Sequence, residues 1–391
     1  MKQCNNVCMN EIKTRAAWPD NLRVFVIFLV VVMHSNVTWS GLGGWYYVPT
    51  KSADLNLVEL VLFGLYGSFT QAWFMGILFF LSGLMAASSY RTKGALRFLR
   101  ERIVRLGLPL LFFVCVLNPL TIWSLLDWQG KPLYLVPFAD YYLHYLSSGE
   151  FLGGTGPLWF VEALIFFAAA QVFVRHLRPA KESAKGKVPS PAFFLSLAAG
   201  IGAASFCIRL FMPVGTGFLN LQICYFASYI ALYALGVHAG ENEWLSLIGW
   251  KPGKAWLLWG AGAGFAAWAA IMLFGGPLKG QMIINGGWNI PALAYALWEA
   301  FIAVSFSLGL CTLFRTHING GGKFQKILAA NAFGVYMFHP PVLIGISKIF
   351  APLALPNLLK HLTTAALAWT ATLLLSWLVI QRIPGLRRVS R

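Results

Sequence analysis

Runs of about twenty apolar residues recur along this chain, and as a helix a run of that length matches the hydrocarbon thickness of a bilayer. Ten can be read, at roughly 22–40, 68–90, 106–126, 158–176, 191–212, 219–240, 255–275, 289–314, 326–350 and 362–381. In lipid a backbone must satisfy its own hydrogen bonds, so repeated spans of this length dictate helices. The sequence therefore predicts an all-α, polytopic membrane protein of about ten transmembrane helices in a single bundle. A soluble globular domain is excluded by 58% hydrophobic against 11% charged residues.

The net charge of +17 could suggest nucleic acid, but the basic residues sit between the apolar runs, so no nucleic-acid partner is expected. With both termini inside, successive cytoplasmic segments hold four, six, five, two, three and four Lys or Arg, which is 24 of the 30. Such a bias in alternate loops supports ten spans and cytosolic ends. The chain divides into a short cytosolic tail (1–21), one membrane domain (22–384) and a basic cytosolic tail (385–391). No small-residue cleavage site follows the first run, which reads as a retained helix. Cys4, Cys8, Cys115, Cys207, Cys224 and Cys311 have neither zinc spacing nor a disulfide pattern, and no metal is expected.

Polar residues inside the runs carry the chemistry. The first run is entered through Asp20 and Arg23 and holds His34, eleven residues or about three turns on, so Arg23 and His34 share nearly one face. An intramembrane imidazole is a functional candidate by default, the bland alternative being a hydrogen bond to a neighbouring helix. Before the third run come Arg97, Arg100, Arg102 and Arg105 with a single acid, Glu101. Positive-inside topology explains part of this cluster, but Arg102 and Arg105 at i, i+3 can also grip phosphates from one helix face. Glu162 and Glu299 are the acids deep in the predicted spans; each is either a helix-to-helix partner or a catalytic aid. Glu162 could pair with Arg209, and Glu299 with His34 or His339. His339 precedes Pro340 and Pro341, whose missing donors expose carbonyls that must line protein or a cavity. Tyr141, Tyr142, His144 and Tyr145 offer either an acceptor floor or an interfacial belt, the belt being favoured.

Three of these motifs, taken in order, resemble the acyltransferase 3 family of integral membrane acyltransferases: Arg23 followed by His34, Arg102-x-x-Arg105 before the third span, and the NAFGVYMFHP run ending at Pro340. The resemblance extends from Asp20 to Pro384, and the GGWYYV stretch looks like the subgroup that includes glucan-modifying proteins. It implies O-acyl transfer from cytosolic acyl-CoA, as acetyl-CoA or succinyl-CoA, to a hydroxyl of a carbohydrate or other envelope acceptor, in a bacterial inner membrane. It also implies His34 as the catalytic histidine and Arg102 and Arg105, with Arg100 beside them, as CoA-binding candidates; Arg23, His339, Glu162 and Glu299 are further catalytic candidates, the two acids from their place in apolar runs alone. The competing class is a multi-span transporter or flippase using the same buried histidines without acyl-transfer chemistry.

Overall fold

A computed structural model of the chain describes residues 16–128, 131–178 and 186–389. Most of the 1–21 tail, with Cys4 and Cys8, and the end of the 385–391 tail lie outside the described residues. Among the described residues, ten helical stretches are long and apolar enough to cross a membrane.

In chain order the helices are α1 (Trp18–Ser40), α2 (Leu57–Lys93), α3 (Ala95–Phe112), α4 (Asn118–Leu125), α5 (Phe138–Ser147), α6 (Trp159–Leu177) and α7 (Pro191–Arg209). They continue as α8 (Phe226–Asn242), α9 (Trp250–Phe274), α10 (Ile290–His317), α11 (Lys323–Phe350), α12 (Asn357–Leu378) and the short α13 (Pro384–Val389). α3 and α4 form one span joined by a π-helical turn at Phe113–Leu117. Successive spans run antiparallel, so the bundle has a basic face, where α1 begins and α2 ends, and an opposite face, where α1 ends and α2 begins.

Ahead of the apolar run at 68–90, α2 already begins at Leu57, and it is continuous for 37 residues and about 55 Å. Asn56 caps it by accepting from the backbone of Glu59, and no proline or β-branched run interrupts it. α2 packs along α8 through small residues. A Cβ on Gly83 would meet the Tyr233 carbonyl, and one on Gly236 would meet the Phe80 carbonyl. The two backbones thus approach as closely as membrane helices can.

The π turn has a cause in sequence. Pro119 cannot donate to the Cys115 carbonyl four residues back. The Tyr142 hydroxyl donates to that carbonyl at 2.9 Å, and the Tyr145 hydroxyl donates to the Val114 carbonyl at 2.9 Å. The tyrosines of α5 therefore satisfy backbone freed in the third span, and Tyr141 and Tyr145 pack with Leu133 in a small cluster of their own. Of the four residues considered for an acceptor floor or an interfacial belt, Tyr142 and Tyr145 thus have a structural use.

Candidate functional site

α1 lies against α2, α11 and α12, which brings His34 to the Pro340 region of α11. His34 Nδ1 is 2.8 Å from His339 Nε2, and His339 Nδ1 is 2.8 Å from the Tyr336 carbonyl oxygen. Pro340 explains the second contact. It has no N–H for the carbonyl four residues back, which belongs to Tyr336, and the adjacent imidazole supplies the missing donor.

This contact fixes the proton positions. A carbonyl only accepts, so His339 Nδ1 carries a hydrogen, and in the neutral ring its Nε2 accepts from His34 Nδ1–H. The proton of neutral His34 is thereby assigned to Nδ1, leaving a lone pair on its Nε2. His339 is fully buried, whereas His34 borders a cavity.

Trp45 covers the dyad. Its ring lies 3.7 Å from that of His34 with 13° between the planes, and stacks more distantly on His339 at 5.9 Å. The neighbouring Tyr46 anchors the strap that holds Trp45, its hydroxyl donating to Asn118 Oδ1 at 2.6 Å. Burial, with Tyr145 and Tyr141 nearby, pushes the Tyr46 pKa up, so this phenol remains a donor. In sequence, an indole at an apolar edge such as Trp45 has no signature that separates an interfacial aromatic from a ring cover.

The cavity measures about 780 Å³ and occupies the half of the bundle nearer the opposite face. Its walls come from α1, α2, α6, α8, α9, α10 and α11 and from the connections after α1, α5, α7 and α9. On α1 and α2 the lining begins at Val30 and ends at Met75. Between there and the basic face the helices are packed, with Leu22, Val26, Ile77, Phe79 and Phe80 fully buried. His34 is six residues, about 9 Å, from the end of α1, so it sits nearer the opposite face than mid-membrane.

The other candidates are dispersed. Arg23 stays near the basic face, 3.1 Å from Asp20 and 3.4 Å from the Ala329 carbonyl. Arg102 is half-buried, its guanidinium 5.4 Å from the centre of the Phe98 ring, while Arg100 and Arg105 border a shallow groove on α3 with Arg97 and Glu101. None of these arginines borders the cavity. Glu162 lies half-buried near the start of α6 beside Thr155, with Oε2 unpaired. Glu299 pairs with Arg209 across α7 and α10, and both are buried. The sequence suggests Arg209 for Glu162 and a histidine for Glu299, whereas Arg209 and Glu299 find each other. The 90-residue separation of the actual partners leaves no local trace of the pairing.

Among the described residues no group of three or more His, Cys, Asp or Glu could hold a metal ion. The arrangement instead supplies a neutral, hydrogen-bonded imidazole with a lone pair at a cavity wall, suited to taking a proton. A family defined by an acyltransferase domain matches residues 16–381, nearly the whole chain. No curated protein and no solved structure gives a significant match.

Proposed function

Since the chain belongs to the acyltransferase 3 family and is an integral membrane acyltransferase, we propose that it moves an acetyl or succinyl group from acyl-CoA to a hydroxyl of a carbohydrate or other envelope acceptor. The reading is supported above all by the His34–His339 dyad at the cavity wall.

In this mechanism the acceptor hydroxyl enters from the opposite face and gives its proton to His34 Nε2 as its oxygen attacks the thioester carbonyl. The carbonyl–sulfur bond breaks, and the departing CoA sulfur takes the proton back from His34. The transient imidazolium is held by His339, whose own proton rests on the Tyr336 carbonyl, and by the Trp45 ring face through a cation–π contact. Arg100, Arg102 and Arg105 receive the CoA phosphates on the basic face, which the positive-inside pattern makes cytosolic in a bacterial inner membrane. Arg23 assists with a phosphate or the thioester oxygen, and Glu162 and Glu299 support the fold around the site.

The test combines binding and turnover in purified protein. Acetyl-CoA, succinyl-CoA and CoA should bind saturably to wild type and weaken about tenfold in Arg102→Ala and Arg105→Ala. His34→Ala should retain binding but lose 10² to 10⁴ of the rate, as roughly expected for a general base. Unchanged acyl transfer by folded His34→Ala would remove the histidine from the mechanism; transport without CoA release would support a transporter.

A further inference from the structure

The cavity beside His34 contains no formal charge: no Lys, Arg, Asp or Glu occurs among its lining residues. Its polar atoms are neutral, and several are unmatched. Asn36, 1% exposed, has neither Nδ2 nor Oδ1 hydrogen-bonded, and Trp268 Nε1 is likewise buried without a partner. Both side chains border the cavity. Buried polar atoms without protein partners are costly, so they point to a ligand or water that completes them. A carbonyl or hydroxyl does so without bringing charge into an aromatic enclosure.

The nearest ions are already committed. The Arg209 guanidinium lies 5.3 Å from the Tyr225 ring and 6.0 Å from the Tyr295 ring, and its charge is met by Glu299. The two tyrosines line the cavity while the ion pair stands behind them, so the pair offers no net charge to an occupant.

Resting on the acyltransferase reading, we infer that the cavity is a neutral binding site in which Asn36 meets the ligand, and that the acyl group brought to His34 is uncharged. A thioester that reaches His34 from the basic face, once the packed layer of Leu22, Val26, Ile77, Phe79 and Phe80 parts, places its acyl end in this cavity. An acetyl group then lies among neutral walls, whereas the free carboxylate of a succinyl group would lose its water with no cation to replace it.

The experiment uses vesicles containing the full chain and equal concentrations of radiolabelled acetyl-CoA or succinyl-CoA. The two donors carry the same phosphates and differ only at the acyl end. Acetyl label should enter vesicle-associated acceptor in a His34-dependent manner, with succinyl transfer at least about a hundredfold lower. Gln71→Arg, which places a cation at the cavity wall, should raise the succinyl-to-acetyl ratio. Asn36→Leu should raise KM about tenfold, the loss of one hydrogen-bonded contact. Comparable succinyl transfer by wild type would overturn the neutral site yet leave the acyltransferase reading standing. No His34-dependent transfer from either donor would overturn both, and an unchanged KM in Asn36→Leu would remove Asn36 from the site.

Discussion

A proline inside a helix ordinarily costs about 3 kcal/mol, because a backbone donor is lost and a carbonyl is left open. At Pro340 the open carbonyl is that of Tyr336, and the His339 imidazole occupies it. Pro340→Ala would restore a backbone N–H able to compete for that carbonyl, loosening the proton order of the dyad. Thermal stability in detergent should stay the same or rise while kcat falls about tenfold, the reverse of the usual link between helix repair and function. Equal activity would show that the Tyr336 contact does not govern His34. At this scale the sequence was legible where an ionisable group interrupted an apolar run, as His34 and His339 do. It was not legible for Asn36, a small amide two residues beyond His34 whose meaning depends on having no partner. Nor was it for Trp45, which acts only through the fold of its strap.

Helices show the same division between periodicity and proximity. Ten spans could be read because the bilayer sets their length, but the start of α2 could not, since its first turns lie beyond the twenty residues that lipid requires. The small residues of α2 permit close packing, and their partner is α8. Gly83→Ala forces a methyl against the Tyr233 carbonyl, a backbone atom that cannot rotate aside. The expected loss is about 2 kcal/mol or more, read as a lower melting temperature. Gly107→Ala, inside α3 with open space around it, serves as the control and should melt at or slightly above wild type. Equal losses in both would refute the close-approach argument.

Across the whole molecule, charge and cavity lie at opposite ends. The basic face bears the arginines of α3, and the opposite face carries the mouth above His34. Single cysteines placed at Arg97 and at Lys279, in a chain whose own six cysteines are replaced, should therefore label from opposite sides of sealed vesicles. Arg97 should react from the cytosolic side if the positive-inside pattern sets orientation. Labelling of both from one side would break the ten-span topology.

The packed layer below the cavity also has an electrical meaning. A protonatable pair within a membrane protein could become a leak for the proton gradient if water reached it from both sides. Leu22, Val26, Ile77, Phe79 and Phe80 interpose a fully buried hydrocarbon layer between His34 and the basic face. In this conformation the cavity opens the pair toward the opposite face, and the packed layer closes it toward the basic one. The protein can hold a base deep in the bundle while the membrane around it remains an insulator.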